Sequence, residues 1–178
     1  GGKRWIQLKG GMPTVNVRDL AFQERERSLV VATFGRGFRV LDDLTPLRLA
    51  TPETVAKEAV LFPVRDAWAY VPRVPLGLKG KAFLGESLYT AENPPFGAVF
   101  TTYLKEELKG RKKARQDAEK EKAKKGEDVF YPTWDELRAE DREEPPVLLF
   151  TVTDEAGNVV RRLTAPAKGG FARVAWDL

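Results

Sequence analysis

The sequence predicts a mainly β protein in two parts, with a pair of helices inserted into the second part. Twelve prolines and fifteen glycines divide the 178 residues into short segments, as a strand-rich protein requires. A hydrophobic content of 42% is sufficient for a packed core. One long stretch rich in lysine, glutamate and alanine is the exception, because its composition favours helix.

Composition excludes several kinds of chemistry. With no cysteine and no histidine, the chain cannot use a disulfide, a thiolate ligand or an imidazole base. Carboxylate chemistry remains, as paired acids in glycoside hydrolysis or as ligands of a hard cation. We expect no cofactor and no metal. No apolar run approaches the length of a membrane span, and we expect a fragment whose targeting segment lies upstream.

Positive charge is concentrated in one segment. Residues 104–126 hold ten Lys or Arg against five Asp or Glu, whereas the whole chain has a net charge of only +4. The rest of the chain is therefore nearly neutral. This composition does not describe a general nucleic-acid-binding surface, so nucleic acid is not an expected partner.

The first part, residues 1–47, is predicted to contain four short antiparallel strands separated by glycine, proline and polar turns. The strands are Trp5–Leu8, Val15–Phe22, Leu29–Phe34 and Phe38–Leu41. Four strands of this length form one blade of a β-propeller, which buries both faces only when neighbouring blades stack on it. The remainder of such a propeller is therefore the first expected partner.

Two motifs in this part resemble a known family. Gly1-Gly2-Lys3-Arg4-Trp5 is similar to the end of an Asp-box hairpin, with Gly2 and Trp5 at the matching glycine and tryptophan. The segments 17–22 and 29–43 are similar to the last blade of bacterial propellers with BNR repeats, of the sortilin-like and glycosyl-hydrolase-like kinds. The resemblance implies a secreted or periplasmic protein whose parent acts on or binds a polysaccharide or a protein.

Three carboxylates of the first part are candidates for acid–base chemistry. Asp42 and Asp43 are neighbours at a strand end, so they point to opposite faces and cannot easily flank one glycosidic bond. Their predicted role is hydrogen bonding in a turn. Asp19 is the better catalytic candidate, although the sequence identifies no partner for it. We therefore expect this fragment to be non-catalytic.

Residues 48–86 are predicted to connect the two parts. Thr51 can cap a short helix whose first position is occupied by Pro52. Two strand-like pieces follow, Val60–Phe62 and Ala67–Val71. The irregular segment Pro72–Glu86 is predicted to lie as a strap across a neighbouring surface, with a binding loop as the alternative.

The second part, residues 87–178, is predicted to be a β-sandwich. Its strands include Ala98–Tyr103, Val147–Thr153, Val159–Leu163 and Phe171–Trp176. Residues 89–105 resemble the region that follows the propeller in the same family. The pattern from Val152 to Asp177 resembles the immunoglobulin-like repeat of flagellar hook-capping proteins, which implies an Ig-like sandwich. Five or six strands are apparent and such a sandwich needs about seven, so the segment 60–71 joins the sheet or later strands are missing.

A helical hairpin at residues 104–144 is predicted to interrupt the sandwich between two strands. The first helix is expected over Leu104–Lys125. The second begins at the capping box of Thr133 and Glu136 and ends at a following proline pair. If the helices are antiparallel, Trp134 should cover the alanines of the first helix.

Five basic residues of the first helix are the binding candidates: Lys109, Arg111, Lys112, Lys113 and Arg115. They predict a basic arm for an anionic polymer, and the alternative is a solvated insertion. No aromatic residue interleaves with these cations, so only nonspecific attraction to phosphate or sulfate is supported. Phe130, Tyr131 and Trp134 either bind a partner or close the hairpin.

Together these features predict a non-catalytic accessory or scaffold region of a secreted propeller protein, which supports binding of a glycan or a protein by the parent. Two alternatives stay open. The parent is a glycoside hydrolase and this region completes its active-site cleft, or the region is an anionic-polymer-binding module that uses the basic helix.

Overall fold

The computed structural model describes residue 7, residues 11–71, residue 91 and residues 93–178. Within these ranges the chain has eight strands in antiparallel sheets and four helices, and it is mainly β as predicted. It divides into two compact units, residues 1–50 and residues 51–178. Outside the described residues lie the Asp-box segment 1–5, the predicted loop 72–86 and, except for Gln7, the predicted strand 5–8.

The first unit contains a three-stranded sheet. Its strands are β1 (Val17–Gln23), β2 (Ser28–Thr33) and β3 (Phe38–Leu41), in the order β1-β2-β3. Gly35 and Gly37 have positive φ in the tight β2–β3 turn, a conformation that glycine adopts without steric cost. A short helix, α1 (Thr45–Leu49), follows the sheet. All three strands lie within two residues of their predicted positions.

The second unit begins with the predicted capped helix and a strand. Thr51 accepts a hydrogen bond from the backbone N–H of Thr54 at the start of α2 (Pro52–Ala56). Strand β4 (Ala59–Leu61) follows directly. The prediction of a second strand at Ala67–Val71 is wrong, because these residues have no strand pairing. The Phe62 N–H donates the last backbone hydrogen bond, to the carbonyl of Thr101, and Pro63 then has no N–H to continue the ladder.

Two sheets form the β-structure of this unit. In the first sheet, β4 pairs with β5 (Ala98–Leu104), and β5 pairs with β8 (Gly170–Trp176). The second is a hairpin of β6 (Val147–Thr153) and β7 (Val159–Pro166). The segment 60–71 thus contributes one strand to the sheet, which is one of the two predicted alternatives, and the second unit has five strands among its described residues.

Both faces of the β4-β5-β8 sheet carry aromatic contacts. On one face, the Phe171 ring lies 5.7 Å from Phe62 and 5.2 Å from Tyr103. On the other face, Phe100 lies 5.8 Å from Phe150 of the β6–β7 hairpin. Phe171 lies on the opposite face from Val174 and Trp176, because odd and even residues of a strand point to opposite faces.

Two longer helices connect β5 to β6. They are α3 (Arg111–Lys125) and α4 (Trp134–Arg142). The prediction that the first helix starts at Leu104 is wrong, because Leu104 is buried as the last residue of β5. Backbone hydrogen bonds from Lys105 to Glu58 and from Leu108 to Ala167 hold the next residues outside a helix. Among the described residues, no helix is long and apolar enough to cross a membrane.

Candidate functional site

The segment that carries the predicted binding residues is the two-helix arm, defined as residues 105–146. Gly110 caps the start of α3 with extended backbone, and Gly126 ends it with φ +73°. At the start of α4, the Thr133 side chain accepts a hydrogen bond from the Glu136 N–H, and the Glu136 carboxylate accepts one from the Thr133 N–H at 2.8 Å. This is the capping box that the sequence predicts.

One arginine joins the two helices of the arm. The Arg115 guanidinium donates to both carboxylate oxygens of Glu140, at 2.6 and 2.8 Å, and to Glu119 at 2.6 Å. The Glu140 side chain is only 5% exposed. Hydrogen bonding to Arg115 lowers the pKa of Glu140, and hydrogen bonding to Glu140 and Glu119 raises the pKa of Arg115. Both groups therefore stay charged across the physiological range.

Three of the other four candidate cations also form salt bridges with carboxylates. Lys109 donates to Asp117 at 2.6 Å, and Lys113 reaches both oxygens of Glu107 at 2.6 Å. The hydrogen bond to Asp117 raises the pKa of Lys109 and lowers that of Asp117. Arg111 pairs with Glu143 at 3.7 Å. Of the five candidates, Lys112 is the one without a salt bridge in the described structure, so the start of α3 is largely neutralised from within.

The end of the arm is aromatic and exposed. Phe130 is 82%, Tyr131 81% and Trp134 74% exposed. The prediction that Trp134 covers the alanines of α3 is wrong. The ion pairs of Arg115 and Arg111 hold the helices together near the sheets, and α3 has no buried residue against which a ring could pack.

Asp19, the catalytic candidate from the sequence, lies on the exposed strand β1. Its carboxylate accepts a hydrogen bond from the N–H of Leu20 at 2.8 Å. Asp43 has φ +46° and accepts from the Thr45 N–H at 3.0 Å, which is the turn role predicted for it. Among the described residues, no group of three or more acidic side chains is arranged to hold a metal ion.

An apolar groove in the second unit was not predicted from the sequence. It has a volume of about 360 Å³ and lies between the β4-β5 edge of one sheet and strand β6 of the other. Its lining includes Phe100, Tyr103 and Phe150, and none of the residues that line it is charged. The absence of charge in β6 is evident from the sequence. The tertiary structure, however, determines which edge of β6 has no partner among the described residues.

Comparison of the chain with protein-family models, with curated proteins and with solved structures finds no match. The likeness to BNR-repeat propellers and to hook-capping Ig-like repeats therefore stays a prediction from the motifs.

Proposed function

We propose that the chain is a non-catalytic accessory region of a secreted or periplasmic propeller protein, and that its first unit docks as a blade between other β-sheets of the parent. The observation that supports this proposal is the exposure of large apolar side chains on both faces of the β1-β2-β3 sheet. The second unit, in this proposal, is an Ig-like sandwich with a helical hairpin that braces the propeller or presents it to a polysaccharide or protein.

Strand register separates the two faces of the first sheet. Leu20 and Phe22 share one face, since they pair with Val31 and Leu29 of β2. Phe38 and Val40 share the opposite face, because they pair with Ala32 and Val30.

Leu20 is 59%, Phe22 40%, Phe38 75% and Val40 55% exposed. A sheet that is solvated on one side has alternating apolar and polar faces, whereas this sheet has apolar residues on both. Full burial of such side chains stabilises by about 1.5–3 kcal/mol each. Sheets stacked on both sides would supply that burial, as they do for a propeller blade.

The test uses the chain and the remainder of the parent protein, expressed as separate polypeptides. We expect the two to co-purify, and Phe38→Glu to weaken their association at least tenfold because a carboxylate would be buried against an apolar sheet. The matched control is Glu24→Lys in the β1–β2 turn, which also changes charge but lies off both faces. Absence of association, or equal effects of the two substitutions, would contradict the proposal.

A second candidate function is weak binding of an anionic polymer by the arm. It is supported by the α3 lysines that have no salt bridge among the described residues, namely Lys112, Lys120, Lys122 and Lys125. Affinity electrophoresis through a sulfated polymer should then show retardation that falls steeply with salt. Lys120→Glu with Lys122→Glu should abolish it, and Lys57→Glu should not. Retardation in a neutral glucan would instead indicate a carbohydrate site.

A further inference from the structure

One edge of strand β6 is paired with none of the described residues. The strand pairs with β7 on one side, from Val147–Pro166 to Thr153–Val159. No backbone hydrogen bond joins its other edge to any of the described residues. An exposed strand edge of this kind presents a row of backbone donors and acceptors, and proteins usually protect it with lysine, proline or a bulge. The register irregularity at Val152 and Thr153 lies at the end of the strand, so the centre of the edge has no such protection.

The apolar groove lies beside β6. Residues 148–152 of β6 line it on one side, and the contact of Phe150 with Phe100 shows that the even-numbered residues of β6 face the other sheet. Residues 59–61 of β4, also an edge strand, line the other side. The groove therefore lies between the two sheets, where an edge strand of each sheet borders it.

The sequence of β6 is complementary to itself in an antiparallel pair. Val-Leu-Leu-Phe-Thr-Val-Thr contains no charge, in a chain of which 31% is charged. If two copies pair about Phe150, Leu148 lies opposite Val152 on the inner face, and Leu149 lies opposite Thr151 on the outer face. Every cross-strand pair then joins uncharged residues, and aromatic and β-branched pairs of this kind are favourable.

We propose that the β6 edge binds the β6 edge of a second copy of the chain, which joins the two hairpins into one four-stranded sheet. In this dimer, the inner face of the second copy's hairpin covers the open side of the groove. This interaction uses only the second unit and is independent of the docking proposed for the first.

The size of the edge predicts a weak, concentration-dependent dimer. Seven residues of β-strand are about 24 Å long and a sheet is about 10 Å thick, so the edge contact covers about 240 Å² per copy. Stable interfaces bury about 800 Å² per partner. Covering the groove adds buried area, but the total stays at the low end of the range for protein–protein interfaces, where association is transient.

Sedimentation velocity over a concentration series tests the proposal. We expect a shift from monomer to dimer as concentration rises, and Thr151→Lys should weaken it at least tenfold by placing charge at the edge. Thr164→Lys is the matched control. Thr164 is exposed on the same outer face, paired with Leu149, but it lies on β7. Circular dichroism checks that both variants fold. A monomer at all concentrations, or equal weakening by both variants, would overturn the proposal.

Cysteine cross-linking tests the register, since the chain has no cysteine of its own. A mixture of Leu149→Cys and Thr151→Cys chains should oxidise to the mixed dimer faster than either variant alone, because directly opposite Cβ atoms lie about 4.5–5.5 Å apart. Equal rates for the mixture and the separate variants would contradict pairing about Phe150.

Discussion

The two three-stranded sheets of the molecule differ in how their faces are covered. In the β4-β5-β8 sheet, Leu104 is 6% exposed, and Phe62, the residue that follows β4, is 2% exposed. In the β1-β2-β3 sheet, every residue of β1 is exposed, and Phe38 is 75% exposed. Both sheets are antiparallel and rich in apolar residues. The difference is that the β4-β5-β8 sheet packs against the β6–β7 hairpin within its own unit. The β1-β2-β3 sheet has no second sheet in its unit among the described residues.

Strand-forming sequence therefore does not by itself indicate a packed core. Alternation and turn residues determine which segments pair, but a sheet is stabilised mainly by burial of its faces. In the first unit that burial is partial. The Arg48 guanidinium lies 4.7 Å from the Phe22 ring centroid and covers one ring, while the opposite face keeps Phe38 and Val40 open to solvent.

The largest expected effect on the free energy of unfolding comes from truncation of a buried aromatic ring. An exposed aromatic ring serves as the comparison. Phe62→Ala should lower the free energy of unfolding by about 3–5 kcal/mol, because it removes a buried side chain and leaves a cavity beside Phe171. Phe38→Ala should change it by less than about 0.5 kcal/mol, since little of that ring is buried. Urea unfolding followed by circular dichroism measures both. Comparable losses would contradict the difference between the sheets.

Two glycines with similar backbone conformations distinguish the energetic cost of a steric collision from the cost of backbone strain. Gly97 has φ +92°, and a Cβ there would collide with the backbone oxygen of Trp176. We expect Gly97→Ala to cost about 2–4 kcal/mol. Gly157 has φ +85° with open space around it, so Gly157→Ala should cost only about 1–2 kcal/mol. Thermal unfolding of both variants checks this order, and an equal cost would show that β5 and β8 approach less closely than described.

Loss of the α4 cap should have a smaller effect, because the arm lies outside both sheets. Thr133→Ala removes the acceptor for the Glu136 N–H, and a lost cap of this kind costs about 1 kcal/mol. Thr133→Ser keeps the acceptor and should be close to neutral. The loss of helical ellipticity on heating is the measurement. Equal melting of the two variants would contradict the capping box.

The smallest effect is expected from the pH dependence of the Arg115–Glu140 pair. Arg115 lowers the pKa of Glu140 in the folded chain, so the pair stabilises the arm above the unfolded carboxyl pKa. The stabilisation is lost as pH falls through the folded value. Glu140→Gln should therefore lower the melting temperature at pH 7 and have less effect near pH 3. A difference that stays constant with pH would show that the pair contributes through packing rather than charge.

Local chemistry made part of this fold predictable. The last three of the four strands predicted for the first unit, the Thr51 cap and the Thr133–Glu136 capping box depend on residues close in sequence, and the structure contains them within two residues of the predicted places. The helix start was not predictable in this way. Composition favours helix from Leu104, but pairing of Leu104 with Gly170 extends β5, and hydrogen bonds to distant residues then delay the helix to Arg111.

The candidate site was predicted as a set of residues but not as a charge distribution. Sequence identified the five cations of α3, yet their neutralisation depends on partners such as Glu140 and Glu143, which are separated from them by a loop and a helix. The groove beside β6 is another tertiary property. Its lining comes from three strands that are far apart in the chain, so no local pattern could indicate it.

Amide hydrogen exchange followed by mass spectrometry compares the two sheets in the intact chain, because it reports the protection of each strand. We expect β5 and β8, which pair along their whole length within a covered sheet, to exchange much more slowly than β1, β2 and β3. Equal or slower exchange in β1, β2 and β3 would contradict the claim that the first sheet is open and the second is packed.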